Sequence, residues 1–335
     1  MRVRHALSGG GAAEAERRLR SRTGPIAWRS WRDAPEPGDI LILAPHEYSA
    51  AHRLEICRAA DWSWVHLTSA GTDFVDLAGW PSPTLLTRSW RCYAAPLAEY
   101  AVHAMLTHEW RRGAPWSLPD HRPTAGMSQA PVPELEPVAR AGLSGARVGV
   151  AGWGEAGRRV AVAAQALGAE VVVLRRAVVA HEEQGVRMTT DPLEVVNTDH
   201  LVVALPVTEQ TYRLFDDRVL SAARPGLHLV NVSRPQVLDQ EALVKRCAVG
   251  AMAATLDVTE PEPLTVGHPL RTLPSVRLSP HVAWRSRASG YGYIDDFAAL
   301  VTDIAERGSP TRAAWVAGDP RAARTVLAEM GEESR

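Results

Sequence analysis

Short apolar runs with little polar alternation recur along this chain, and in its middle they alternate with stretches of helical periodicity. Such runs predict strands buried on both faces, whereas apolar positions three and four apart predict helices. In the first hundred residues, Ile40–Leu43 and Trp64–Leu67 stand between Pro- and Gly-rich turns and predict two buried strands. Residues 3–7 predict a first strand that runs directly into Gly9, Gly10 and Gly11. Residues 97–110 predict a long helix with apolar side chains on more than one face, and so a buried one. Residues 113–137 are Pro-rich and irregular, which predicts a loop or surface arm.

From Ala146 onward the strand and helix patterns alternate. Strands are predicted at residues 148–151, 171–174, 201–205, 227–232, 254–258 and 276–279. This order predicts a doubly wound domain, a parallel sheet covered by helices on both faces. After Arg285 the sequence is helical again, most clearly at residues 295–307, and this tail is expected to pack back on the first segment. At 335 residues the chain exceeds one ordinary core. The expected division is residues 1–95 with 285–335 as one domain and 96–284 as the other.

Charge and composition exclude more than they identify. The 37 basic and 38 acidic residues nearly cancel, which argues against nucleic acid or a membrane surface as the main partner. Cys57, Cys92 and Cys247 are scattered, with no CxxC and no histidine at metal-ligand spacing. That usage suits a reducing compartment, and no signal-peptide or membrane-spanning pattern is read. A cytoplasmic protein without a metal is the expectation.

One loop carries a specific chemical signal. Gly152-Trp153-Gly154-Glu155-Ala156-Gly157 directly follows the predicted strand at 148–151 and opens a helix that Gly168 stops. In that setting Gly152 permits the tight turn, Gly154 lets a pyrophosphate approach, and Gly157 allows close helix packing. A dinucleotide is therefore the expected cofactor, its phosphates at the helix N-terminus. The next predicted strand ends in Arg175-Arg176, where a carboxylate for the ribose 2′-hydroxyl is absent. Two guanidiniums there suit a 2′-phosphate, so NADP is expected in preference to NAD. Two solvated arginines are the plainer alternative.

Three further residues follow predicted strands: Arg234 after Leu229-Val-Asn-Val-Ser, Glu262 within Thr259-Glu-Pro-Glu-Pro263, and His281 after Leu278-Ser-Pro. Singly, each has an ordinary use as a surface charge, a loop residue or a turn residue. Together they suit reduction of a 2-oxo acid. A planar guanidinium holds the carboxylate and polarises the carbonyl, while imidazole protonates the developing alkoxide. A carboxylate beside the ring orients it and stabilises imidazolium.

With these motifs in this order, residues from about Trp62 to Ser286 resemble the D-isomer-specific 2-hydroxyacid dehydrogenases. The remaining matches are Leu205-Pro-Val-Thr-Glu-Gln-Thr211, Asn231-Val-Ser-Arg234, Leu256-Asp-Val-Thr-Glu-Pro-Glu-Pro-Leu264 and Ser279-Pro-His281. The segments at 64–71 and 281–284 are similar to the glyoxylate/hydroxypyruvate reductase branch. The resemblance implies a Rossmann cofactor domain inserted in a smaller flavodoxin-like α/β substrate domain, a cleft closed by hinge motion, and a homodimer built on the 97–110 helix. It implies Arg234, Glu262 and His281 as the catalytic set, and an (R)-2-hydroxy acid as product. It also implies Asp257 at the nicotinamide carboxamide, Leu205, Pro206, Thr211 and Val232 along the cofactor cleft, and the Ala70–Gly71 backbone at the substrate carboxylate. Trp284 is a candidate wall of the substrate pocket. The family usually has glycine where this chain has Pro235, which removes an N–H and favours an extended Arg234. Pro235, with Arg88, Arg91, Arg285 and Arg287, motivates a specialised substrate such as a phosphonate. A cofactor-sensing corepressor without turnover is the other rival.

Overall fold

A computed structural model describes the chain apart from residues 8–10, 49–51, 76–79, 81–83, 113–141, 178–181, 184, 287–288, 312–313, 322, 324–326 and 328–335. The arm expected at 113–137, two of the three N-terminal glycines and Arg287 lie outside the described residues. The chain forms two compact units, Met1–Tyr93 with Arg285–Arg335, and Ala94–Trp284. Among the described residues, no helix is long and apolar enough to cross a membrane.

The first unit begins with β1 (Arg2–Ala6), α1 (Gly11–Thr23), β2 (Ala27–Ser30) and β3 (Ile40–Leu43). It continues through α2 (Arg53–Ala59), β4 (Trp64–Leu67) and β5 (Leu85–Arg88). The second unit opens with α3 (Ala94–Arg112), β6 (Arg147–Ala151), α4 (Glu155–Ala166) and β7 (Glu170–Leu174). A short hairpin, β8 (Glu182–Glu183) and β9 (Val186–Thr189), leads to α5 (Pro192–Val196) and β10 (His200–Val203). Then come α6 (Asp217–Ser221), β11 (Leu227–Asn231), α7 (Gln240–Ala248), β12 (Met252–Leu256) and β13 (Val276–Leu278). The chain returns to the first unit with α8 (Ser289–Arg307) and β14 (Trp315–Ala317).

The first sheet has the order β14-β5-β4-β3-β1-β2, parallel except where β14 joins β5 antiparallel. Alternate residues feed opposite faces: Ile40, Ile42 and Trp64 pack with α1 and α8, whereas Leu41, Leu43, Val65 and Leu67 pack with α2. The second sheet has the order β13-β12-β11-β10-β6-β7-β9-β8 and is parallel throughout except at the β8–β9 hairpin. Val148, Val150, Val202 and Val230 pack with α3 and α4, while Leu201, Val203, Leu227 and Leu229 pack with α5, α6 and α7. Both faces are dry, which is why these strands read as unbroken apolar runs.

Several boundaries differ from the sequence reading. The strand expected at 201–205 stops at Val203, because the loop from Ala204 turns out of the sheet. The strand expected at 254–258 lies at Met252–Leu256, and Asp257 just past its end still donates its N–H to Asn231 O at 3.1 Å. Helix α1 starts at Gly11, where the glycines masked a helix whose charges pair one turn apart, Arg18 and Arg20 with Glu14 and Glu16. Helix α8 starts at Ser289, two turns ahead of its strongest apolar pattern.

Candidate active site

The carboxyl edge of the second sheet is one continuous row. Leu174, Ala151, Val203, Asn231, Leu256 and Leu278 are register partners in turn across the strands β7, β6, β10, β11, β12 and β13. Every candidate residue of this unit leaves the sheet within a few positions of that row or lies in the loops that follow. The strand order reverses between β6 and β10, the kind of switch point at which such sheets bind ligands.

Gly152 turns the chain there with φ +112, and a Cβ on it would lie 2.6 Å from the Ala204 carbonyl oxygen. Gly157 is tighter: its Cβ would stand 2.0 Å from the Gly152 carbonyl oxygen, so α4 approaches the turn only because this position is glycine. Gly154 caps α4 in an extended conformation, and a Cβ on it would meet nothing within 4 Å. The first-turn N–H groups of α4 and this open space together fit a dinucleotide pyrophosphate. The exposed Glu155 carboxylate and half-buried Ala156 complete the turn. Trp153 is different: its indole is buried in the core, with the Arg158 guanidinium 5.4 Å above the ring, so only its backbone is available to a ligand.

Arg175 and Arg176 follow β7, the first half-buried and the second exposed, with the Arg175 N–H donating to Thr189 O at 2.9 Å. Leu205 packs on the core beneath, and Pro206 is exposed. The Thr211 hydroxyl is spent on its own loop, donating to Pro206 O at 2.6 Å and accepting from the Thr208 N–H at 2.8 Å. It therefore shapes the loop. Val232 is buried like Trp153 and offers backbone only.

Arg234, Glu262 and His281 follow β11, β12 and β13, three neighbouring strands. The structure brings two of them into direct contact. His281 Nδ1 lies 2.7 Å from Glu262 Oε1, and both side chains are 41% exposed, so ligand can reach them. A carboxylate only accepts, so Nδ1 carries the hydrogen and Nε2 is left to give or take a proton. His281 has φ +53, a left-handed conformation unusual for a residue with a Cβ. Arg234 sits in a turn built by buried Asn231, whose amide donates to Arg234 O at 3.0 Å and whose oxygen accepts from Ser233 N at 3.0 Å. Arg234 is extended, φ −138 and ψ 143, as the following Pro235 dictates, and its guanidinium donates to Ser233 O at 2.8 Å. Trp284 is exposed, and its indole N–H donates to His281 O at 3.0 Å.

Asp257 is buried, and its carboxylate already serves the loop that carries His281. Oδ1 accepts from Ser279 Oγ at 2.5 Å and Val282 N at 2.8 Å, and Oδ2 from Ala283 N at 3.0 Å. Three donors on a group with about four lone-pair positions leave room for one more, such as a carboxamide N–H. Tyr100 and Ser279 were not singled out by the sequence reading, yet their hydroxyls meet at 2.6 Å beside Asp257. Tyr100 lies in a helix read only as apolar packing, and burial pushes its hydroxyl pKa up.

In the first unit, Ala70 and Gly71 form a half-buried loop after β4. The Arg88 guanidinium donates to Ala70 O at 2.5 Å, Ser69 Oγ to Gly71 O at 2.7 Å, and the Tyr93 hydroxyl to Thr68 O. Because C=O and the next N–H oppose each other across a trans peptide, these bonds fix where the loop's N–H groups point.

Residues 131–283 match the family described as "D-isomer specific 2-hydroxyacid dehydrogenase, NAD binding domain". A glyoxylate reductase of Thermococcus gammatolerans is 35% identical over 141 residues, 41% of this chain and 42% of the relative. A glyoxylate/hydroxypyruvate reductase B of Serratia proteamaculans is 31% identical over 164 residues, 46% of this chain and 50% of the relative. The matched stretch thus spans about half the length of these curated relatives. A crystal structure of a Thermus thermophilus protein superposes with TM-score 0.69 at 25% identity, covering 94% of this chain and 100% of that one. A Treponema pallidum D-lactate dehydrogenase shares the fold, with TM-score 0.68 at 20% identity over 95% of this chain and 100% of that one.

Proposed function

We propose that this chain is a D-isomer specific 2-hydroxyacid dehydrogenase, the family whose NAD-binding domain its residues 131–283 match, and that it reduces a small 2-oxo acid to the (R)-2-hydroxy acid with a reduced nicotinamide dinucleotide. The observation that carries the reading is the His281–Glu262 contact at 2.7 Å, on the edge of the sheet that also bears the glycine turn. When bound, the dinucleotide supplies hydride. Its phosphates are assigned to the backbone of residues 152–157, its carboxamide to the remaining acceptor position of Asp257, and its outer face to Leu205, Pro206 and Val232.

This chain's residues do the rest. Arg234 holds the substrate carboxylate and draws electron density from the carbonyl oxygen. Protonated His281 gives its Nε2 proton to that oxygen, and Glu262 keeps the remaining proton on Nδ1 so that the neutral ring stays in one tautomer. The Gly71 and Ala70 N–H groups are assigned to the substrate carboxylate by family likeness, and Trp284 to the substrate's side chain. Arg175, with Arg176, favours NADPH over NADH through the 2′-phosphate. Both named reductases act, by their names, on glyoxylate or on glyoxylate and hydroxypyruvate, which makes these acids the first to try. The remaining readings are a cytoplasmic location, on three free cysteines, and a homodimer, on the family likeness of α3.

The test follows absorbance of NADPH and of NADH with glyoxylate, hydroxypyruvate, phenylpyruvate and phosphonopyruvate. The expected result is reduction of at least one acid, faster with NADPH, and a selective loss of NADPH affinity in Arg175→Asp. Oxidation of neither cofactor with any of these acids overturns the assigned activity. Equal affinity loss for both cofactors, or none, overturns the NADPH preference alone.

A further inference from the structure

We infer that Tyr100 and Ser279 are positioning residues for His281, acting through Asp257 to hold the acid in its left-handed conformation. The inference rests on the function proposed for His281, and all four residues lie in the second unit. Three consecutive amides converge on Asp257: His281 N–H donates to its carbonyl at 3.0 Å, Val282 N–H to Oδ1 at 2.8 Å, and Ala283 N–H to Oδ2 at 3.0 Å. This grip explains how a residue with a Cβ is kept at φ +53, where the backbone disfavours it. It also sets the direction from which His281 reaches Glu262.

The grip depends in turn on two hydroxyls whose hydrogens have one consistent arrangement. As a carboxylate Asp257 accepts only, so Ser279 Oγ, 2.5 Å from Oδ1, donates to it. That uses the single hydroxyl hydrogen of Ser279. Tyr100, 2.6 Å away, therefore donates to Ser279 Oγ. The order Tyr100 to Ser279 to Asp257 runs from helix α3 to the end of β12, and it ties the catalytic loop to two rigid elements. Removing the Tyr100 hydroxyl leaves Ser279 free to rotate, and Asp257 then loses its shortest donor. A ring without the hydroxyl keeps nearly all of the packing, which separates this role from core filling.

The experiment compares wild type, Tyr100→Phe, Ser279→Ala and Ser279→Thr for kcat and KM on the best 2-oxo acid, and repeats Tyr100→Phe in a His281→Ala background. The prediction is a loss in kcat of about tenfold for Tyr100→Phe and Ser279→Ala, the effect of one ordinary hydrogen bond. KM for the nicotinamide cofactor should stay within about twofold, and Ser279→Thr should recover most of the rate. With His281 gone, Tyr100→Phe should cost nothing further, because its effect is routed through that ring. An undiminished kcat in Tyr100→Phe, or an equal loss in the His281→Ala background, overturns the inference. Amide hydrogen exchange at residues 281–283 gives a readout independent of turnover: exchange should quicken about tenfold in Tyr100→Phe while α4 is unchanged. If wild type reduces no acid, the proposed function fails, whereas unchanged exchange sinks the positioning network itself.

Discussion

At the scale of single residues, the glycine turn and one buried histidine allow the sharpest tests. A Cβ at residue 157 would collide with backbone, 2.0 Å from the Gly152 oxygen, and no rotamer relieves that contact. Gly157→Ala should therefore lower stability by about 1–3 kcal/mol and abolish measurable dinucleotide affinity, read by thermal melting and by fluorescence titration. Gly154→Ala meets no protein atom, so it should fold normally and lose affinity only. His66 is wholly buried between Thr87 Oγ1 and Ser89 Oγ, each at 2.9 Å, and burial drives its pKa from 6.5 to about 3. Between those values the unfolded chain binds a proton that the native chain refuses. The stability this gives is complete above about pH 6.5 and is lost as pH falls toward 3. Urea titrations should show His66→Gln losing roughly 2 kcal/mol less than wild type between pH 7 and pH 5. Equal losses would show that His66 does not carry the acid sensitivity. The tight turn at Gly152 and the close helix approach at Gly157 were readable in sequence because a motif of fixed spacing encodes a backbone shape. The Tyr100–Ser279–Asp257 contacts were not, because they join positions 179 and 22 residues apart through side chains alone.

At the scale of elements, apolar periodicity located the interior strands and missed what is held by polar detail. β3, β4, β6, β7, β10, β11 and β12 are buried on both faces, so each appears as an apolar run, with the bounds of β3 and β4 as expected and the others displaced by a residue or two. β2, by contrast, is a partly exposed edge strand, Ala27-Trp-Arg-Ser30, with no apolar face to announce it. The buried contact of His200 Nδ1 with His228 Nδ1, at 3.2 Å, joins β10 to β11 at the far end from the carboxyl edge and has no local signature. Helix α8 is anchored in the same unannounced way. Asp296 on α8 accepts from the backbone N–H groups of Trp90, Arg91 and Cys92 at 2.9, 3.1 and 3.4 Å, and burial raises its pKa against the pull of those donors. Asp296→Ala should strand three amides and lower the stability of the first unit by about 2–4 kcal/mol, as measured by chemical denaturation. A change below about 0.5 kcal/mol would mean that α8 is held by Phe297 and its apolar neighbours alone.

At the scale of the whole molecule, the alternation of strand and helix patterns after Ala146 specified a doubly wound parallel sheet, since parallel neighbours need a crossover connection, usually a helix. The strand row from Leu174 to Leu278 shows why motifs far apart in sequence belong to one chemistry: they leave one edge of one sheet. What the sequence pattern left open was which side chains are already committed. Trp153, Val232 and Thr211, all expected to face the cofactor, have their side chains engaged in core or loop, which restricts ligand recognition there to backbone and shape. The proposed reduction of a 2-oxo acid turns on proton transfer from His281, oriented by Glu262. Its most direct test is the steady-state kcat of wild type against His281→Ala on the acid that wild type reduces fastest, with both proteins shown to bind NADPH equally. Loss of this proton donor should lower kcat by about 100- to 10,000-fold with little change in cofactor affinity. A His281→Ala enzyme within about threefold of wild type would contradict it.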